Sequence, residues 1–369
     1  MTSLRILHTE SSLGWGGQEN RTLNEMLALR ELGHHCEVAC QPGARLGVRA
    51  GEAGFLVSEI RLRGALDFPA IWKFMRLMRA HAIDIVNTHS GRDTQLAGIA
   101  AKIPGLFHGR RPFVVRTRHL ALPISSRFSY TVLVDHVVSV SRFVADYLAS
   151  AGVPAERITA VPTGIDLSRY QRVEPGSLRA ELGLTEAAPL IGTVAILRRK
   201  KGHAELLEAI PAVLARYPDA HFVFAGDGPQ HENLARRILE MGLVINVHLL
   251  GLRRDVANVL ASLDLFVLPT HQEALGTAFI EAGAMGVPAI ATCVDGVPEV
   301  VRDGATGLLV PLGDSAALSS AIITLLADPA RRRAMGLAAR EWTTTRFSRR
   351  AMIDGMLTVY ERLRAAPRS

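Results

Sequence analysis

Short apolar runs alternate with segments of helical period along the whole chain, and the alternation happens twice. In the first series LRILHT, HCEVAC, IDIVNT, FVVRT, HVVSVS and RITAVP read as strands. In the second, PLIGTVAIL, HFVFAG, INVHLL, DLFVLP, PAIAT and GLLVP do. Between them lie segments such as Glu19–Leu32, where Leu23, Met26 and Leu27 recur on one helical face. Strands separated by helices pair in parallel through crossovers, so a doubly wound α/β architecture is expected. Gly164–Leu182 is polar and turn-rich and reads as a linker, dividing the chain into domains 1–172 and 173–347. From Ser348 onward, helical period runs through Met352, Met356, Val359 and Leu363.

At 369 residues and 48% hydrophobic content the chain suits two cores of ordinary size. No stretch approaches the roughly 18 uncharged apolar residues of a spanning helix. MTSLRILHTE reads as a charged strand start rather than a signal peptide. Cys36, Cys40 and Cys293 form no CxxC pair, so a reduced cytoplasmic protein without disulfides or structural zinc is expected.

The net charge of +7 favours anionic partners. From Thr94 to Val134 there is no Asp or Glu, while Lys102, Arg110, Arg111, Arg116, Arg118 and Arg127 are present. No recognition helix, zinc finger or aromatic–basic pattern directs that surplus at nucleic acid. Phe68–His81 has helical period, with Ile71, Trp72, Phe74, Met75 and Met78 apolar and Lys73, Arg76 and Arg79 basic. It reads first as a crossover helix, but its cationic side would suit peripheral contact with an anionic membrane.

The richest segment is His271–Thr292, HQEALGTAFIEAGAMGVPAIAT, which sets Glu273 and Glu281 eight residues apart. The strand before it delivers Glu273 to a sheet's carboxyl edge, where open α/β sheets bind ligands. A helix starting near Leu275, Gly276 and Thr277 offers unpaired N–H groups and partial positive charge to a phosphate. The segment resembles the Glu-x7-Glu signature of the retaining family-4 glycosyltransferases, and the resemblance extends over nearly the whole chain. It implies the GT-B fold, two Rossmann-like domains facing across a cleft, with the C-terminal helix 348–365 returning to the first. It also implies that Glu273 contacts the sugar of a nucleotide-sugar donor and Glu281 its ribose.

A donor diphosphate needs countercharge, yet the chain contains no Asp-x-Asp and no zinc-ligand spacing, so neither a metal nor another cofactor is expected. Ile196–His203, ILRRKKGH, supplies Arg198, Arg199, Lys200 and Lys201 after the first strand of the second series. The family usually places an Arg five positions ahead of a Lys-Gly pair; here Ile196 holds that place. Lys201 matches the lysine, Arg198 is taken as the second cation, and Arg199 is its rival. FAGDGPQHENL resembles the family's Gly-x-Gly-Pro turn, assigning Gly226 and Gly228 to the donor. Either UDP or GDP would fit, and UDP is favoured on frequency.

In the first domain, Gly14, Gly16 and Gly17 precede a helix, but not with dinucleotide spacing, and no acidic residue closes the second strand. By resemblance to the Gly-Gly-x-Glu loop, Gly16 and Gly17 join the donor site. His119, in RTRHLALP, matches the family's Thr-x-His segment and joins the catalytic set with Glu273, Lys201 and Arg198. His89 and Arg118 are assigned to the acceptor side. VPTGID carries Thr163 where the family has Asn. The implied activity is retaining hexosyl transfer to a glycan or lipid-linked acceptor, as in lipopolysaccharide or capsule synthesis. A nucleotide-sugar 2-epimerase and a non-catalytic sugar-nucleotide binding module are the alternatives.

Overall fold

The computed structural model describes residues 3–64, 66–103, 111–120, 122–170 and 176–365. The chain divides into two compact units, Met1–Gly164 with Arg349–Ser369, and Ile165–Ser348. The division falls before the expected 172/173 boundary, for a local reason. Leu167–Tyr170 form a 3-10 turn packed on the second unit's own helix Thr277–Ala284, and Tyr170 is buried there. Residues 171–175 of the expected linker lie outside the described residues.

The first unit contains β1 (Arg5–Glu10), β2 (His35–Cys40), β3 (Leu56–Glu59), β4 (Ile85–Thr88), β5 (Phe113–Arg118), β6 (His136–Ser139) and β7 (Ile158–Ala160). They form one parallel sheet in the order β3-β2-β1-β4-β5-β6-β7. Six of these strands carry the expected apolar runs. β3 does not: it is a half-exposed edge strand, so burial imposes no apolar run on it.

The C-terminal helix Arg349–Ala365 belongs to this unit, where Met352, Ile353, Met356 and Tyr360 pack with Leu4, Ile6, Ile85, Val115 and Val138. Helix Gly17–Glu31 buries Met26 against Val38, Leu46 and Phe55, with Leu23 and Leu27 packed alongside. It also buries Arg21 and Glu25, which apolar periodicity alone does not anticipate.

The second unit contains β8 (Leu190–Val194), β9 (His221–Ala225), β10 (Val247–Gly251), β11 (Leu265–Leu268), β12 (Ala289–Thr292) and β13 (Gly307–Val310). All are parallel, ordered β10-β9-β8-β11-β12-β13. Ile191, Phe222, Phe224, Leu265, Val267 and Ile290 form the centre of its core.

One device recurs at the amino ends of the strands. An aspartate just ahead of a strand accepts the backbone N–H at the start of its neighbour: Asp84 from Arg5 (2.9 Å), Asp135 from Val114 (2.8 Å) and Asp264 from Leu190 (2.9 Å). Each bond satisfies an edge donor and holds strand register. Strand order reverses between β1 and β4 in one sheet and between β8 and β11 in the other. Open α/β sheets bind ligands beyond the carboxyl ends of strands at such points. No helix among the described residues is long and apolar enough to cross a membrane.

Candidate functional site

In the second unit, the loops leaving β8, β9 and β11 are locked together backbone to backbone. Gly202 ends the turn Arg199–Lys201 at φ +73, and a Cβ there would lie 1.8 Å from the Pro269 carbonyl oxygen. Only glycine lets the two chains pass so closely. Gly226 and Gly228 do the same against Ala195 and Leu197, where a Cβ would meet carbonyl oxygens at 1.9 and 2.7 Å. Hydrogen bonds reinforce the lock: the Lys200 carbonyl accepts from the His271 N–H (2.8 Å) and the Thr270 hydroxyl (3.0 Å).

This framework carries Lys201 and Glu273 to the same place, where ammonium and carboxylate form an ion pair, each about one-fifth exposed or less. Arg198, Arg199 and Lys200 are exposed beside them. The Glu273 peptide is gripped on both sides. Its N–H donates to Asp295 (3.0 Å), and its carbonyl accepts from the Gly296 N–H (3.0 Å). Asp295 holds this post at φ +47, an unusual conformation for a residue with a side chain. Nothing in its local sequence marks it for this post.

Glu273 leads directly into helix Thr277–Ala284, capped by Gly276 at φ +96, with Leu275 buried and Thr277 half-exposed at the first turn. The leading N–H groups of a helix have no partners within it. Glu281 lies further along the same helix. Burial pushes its carboxyl up to about 7, opposed by a hydrogen bond from the Tyr170 hydroxyl and the charge of Arg169. Tyr170 falls within the expected linker, and nothing in its local sequence marks it as Glu281's partner.

In the first unit, the carboxyl ends of β1, β4 and β5 bring three imidazoles into a row. His8 Nδ1 lies 3.1 Å from His89 Nε2, and His89 Nδ1 lies 3.0 Å from His119 Nε2. All three are buried, and burial lowers each below the ordinary imidazole range. Both ring nitrogens of His89 are thus engaged by histidines, so its ring acts on its surroundings through His119. His8 was not singled out from the sequence, because it lies inside an ordinary apolar run.

Beside the histidines, Glu10 and Asp93 form a buried acidic pair. Burial and the neighbouring Asp93 charge push Glu10 up to about 7, and burial also raises Asp93. Glu10 accepts from the Ser12 N–H (2.8 Å) and the Gln18 amide; Asp93 accepts from the Thr9 hydroxyl (2.8 Å) and the His89 N–H (2.9 Å). Gly16 and Gly17 are exposed at the start of helix Gly17–Glu31, where Glu19 accepts from the Gly16 N–H (2.8 Å). Buried Arg21 donates to the Val161 carbonyl (2.9 Å) and the Thr163 hydroxyl (3.1 Å), so Thr163 serves as an acceptor.

The acid-free stretch is less available than its composition suggests. Lys102 and Arg111 both pair with Asp135, Arg116 is buried over the Tyr130 ring at 3.8 Å, and Arg118 donates to the Leu122 carbonyl (2.6 Å). Arg127 is exposed, and Arg110 lies outside the described residues. In helix Phe68–Ala80, Ile71, Phe74 and Met78 are buried, whereas Trp72 is 52% exposed with the Arg76 guanidinium 4.7 Å from its ring centre. Trp72 therefore joins the basic face rather than the apolar one.

The sequence matches the family model Glycosyltransferase Family 4 over residues 15–169 and the model Glycosyl transferases group 1 over residues 176–342. The chain belongs to the family-4 glycosyltransferases. A GDP-mannose-dependent monoacylated alpha-(1-6)-phosphatidylinositol monomannoside mannosyltransferase of Corynebacterium glutamicum is 34% identical over 240 residues, 62% of each chain. The chain spans about three-fifths of the length of the curated relatives it matches first. A glycosyltransferase of Rickettsia africae superposes with a TM-score of 0.89 at 22% identity, covering 100% of both chains. Anabaena HepE in complex with UDP and glucose gives 0.82 at 22% identity, covering 98% of this chain and 100% of that one. The fold of this family-4 member is GT-B, with a Rossmann-like sheet in each unit.

Proposed function

We propose that the protein is a retaining glycosyltransferase that moves a hexose-type sugar from a UDP- or GDP-sugar to a glycan or lipid-linked acceptor of the cell envelope. The observation that carries this reading is the meeting of Lys201 with Glu273, one helical start away from Glu281, at the strand-order reversal of the second sheet. A site for an activated sugar needs a cation for the diphosphate and carboxylates for hydroxyls, and this edge supplies both.

Each residue then has a task. Lys201 and Arg198, with Arg199 beside them, neutralise the diphosphate, and the leading N–H groups of helix Thr277–Ala284 add donors. Gly226 and Gly228 shape the wall near the base, and Gly16 and Gly17 belong to the donor loop that the family motif identifies. Glu281 accepts from ribose hydroxyls; Glu273 orients the sugar. His119 joins the reacting centre on the strength of the Thr-x-His motif it matches, and Arg118 serves the acceptor side.

In the reaction, the bond from the anomeric carbon to the diphosphate oxygen breaks as the acceptor oxygen bonds to that carbon on the same face. The acceptor's proton passes to the departing phosphate. The protein's contribution is positioning and charge stabilisation, and protein cations take the place a divalent ion would otherwise fill. A cytoplasmic enzyme working at the inner membrane surface fits the exposed Trp72–Arg76 face.

The test is a thermal-shift screen against UDP, GDP, ADP and their sugars, followed by product analysis with membrane extract as acceptor. A true donor present far above its Kd stabilises the fold by about 3–4 kcal/mol. Sugar transferred to extract with its anomeric configuration kept is the expected product. Free epimerised nucleotide sugar, or binding without turnover, would favour the two alternatives instead.

A further inference from the structure

His8 lies on β1, buried, with no evident route to a ligand, yet it terminates a line of imidazoles that ends at His119. The His8 and His89 rings are nearly coplanar, 6° apart, with centroids 5.4 Å apart. With nitrogens 3.1 Å apart, that is edge-to-edge alignment, in which an N–H points along its neighbour's lone pair. A neutral imidazole carries one N–H and one bare nitrogen. Three neutral rings joined by two contacts therefore have only two arrangements, with all donors pointing toward His8 or all toward His119.

The surrounding charges choose between them. The Glu25 carboxylate acts on His8, while the Arg21 guanidinium acts on both His89 and His119, and Arg118 acts on His119 as well. A negative charge at the His8 end and positive charges at the His119 end favour protons displaced toward His8. His119 Nε2–H then donates to His89 Nδ1, and His89 Nε2–H donates to His8 Nδ1. The remaining nitrogen, His119 Nδ1, is left bare. It has no hydrogen-bond partner among the described residues and is not one of their buried unpartnered atoms.

We propose that His8 is a positioning residue that acts through His89 to hold His119 as the Nε2–H tautomer, presenting a bare Nδ1 to accept a hydrogen bond from a substrate hydroxyl. This role rests on the reading of His119 as a group that touches substrate. The tautomer itself does not, because it is a property of the protein without ligand. In this arrangement the His8 proton sits on Nε2, which is buried without a partner among the described residues. The Glu25, Arg21 and Arg118 charges must outweigh the cost of that unpaired N–H.

The test is long-range 15N–1H NMR of histidine-labelled protein without donor, assigned by single substitutions, together with steady-state kinetics. The expected spectrum at neutral pH shows His8, His89 and His119 as neutral Nε2–H tautomers. His8→Phe should turn the His119 signal into a mixture of tautomers and lower kcat about tenfold with donor KM little changed. His8→Asn, whose Oδ1 accepts where Nδ1 did, should restore both. A His119 found as Nδ1–H in the unsubstituted protein overturns the proposal, even if His8→Phe does not fold. So does a folded His8→Phe that keeps both the His119 signal and kcat. A correct tautomer pattern in a protein that transfers no sugar would overturn the proposed function instead.

Discussion

The Lys201 ammonium and the Glu273 carboxylate neutralise each other at the carboxyl edge of the second sheet, across 72 residues of sequence. In the functional reading they serve different parts of one donor, the diphosphate and the sugar. Each therefore engages part of the other's binding capacity, and a donor must share or replace that contact. The pairing also keeps two partly buried charges compensated.

Removing one member leaves the other uncompensated. Lys201→Ala should lower kcat by about 10²–10³-fold, the usual effect of deleting a charge-stabilising group. Because both side chains retain some exposure, the stability loss should be only about 1 kcal/mol. The double variant Lys201→Met with Glu273→Gln should recover that stability in urea denaturation and none of the activity. A Lys201→Ala enzyme with full turnover would end the cationic-clamp account.

Glu281 gives a pH signature. Its ordinary value of 4.5 is raised to about 7 in the folded protein, chiefly by burial. Between those values the unfolded chain ionises while the folded one stays protonated, so this group's contribution to stability falls as pH rises through that window. Ribose hydroxyls donating to Glu281 would favour the carboxylate, so nucleotide affinity should rise from about pH 6 to about pH 8 with protons released on binding. Calorimetry in two buffers of different ionisation enthalpy measures that release. Glu281→Gln should weaken binding and abolish the proton release attributable to this group.

Gly202 and Gly313 have nearly equal φ, +73 and +75, but a Cβ would strike the Pro269 carbonyl at the first and nothing within 4 Å at the second. Alanine at Gly313 should cost about 1–2 kcal/mol, the left-handed penalty alone. At Gly202 the added collision should bring the loss above about 3 kcal/mol and displace Lys201 with it. Equal losses in urea denaturation would mean that the loop lock is loose.

The basic face of helix Phe68–Ala80 should bind vesicles rich in phosphatidylglycerol at low ionic strength and release them as salt rises. Arg76→Ala should weaken that binding about fivefold, and Trp72→Ala should weaken it independently of salt. Cosedimentation measures both. Vesicles ignored by the unsubstituted protein at low salt would remove membrane docking from the proposal.

Most of the fold was legible because parallel strands buried on both faces must be written as apolar runs, as in DLFVLP and PAIAT. β3 escaped because LVSE lies at an edge and escapes that demand. The site was legible where one segment carried it, as from Glu273 to Glu281, and opaque where sheet order assembled it. His8, His89 and His119 are separated by 81 and 30 residues, and only the adjacency of β1, β4 and β5 aligns them. Asp295 and Tyr170 were missed for the same reason: their partners, Glu273 and Glu281, come from other parts of the chain. Gly226 and Gly228, assigned to the donor by resemblance, carry a further constraint that only the structure shows, the close backbone of Ala195–Leu197.

The central claim is that protein cations alone hold the diphosphate of an activated sugar at the second unit's sheet edge. The direct measurement is sugar transfer, with nucleotide binding followed in parallel, by enzyme exhaustively treated with EDTA and by its Lys201→Ala variant. The account predicts that the chelated enzyme keeps full transfer and nucleotide affinity while the variant loses transfer. Activity that vanishes with EDTA and returns on adding a divalent cation would contradict it.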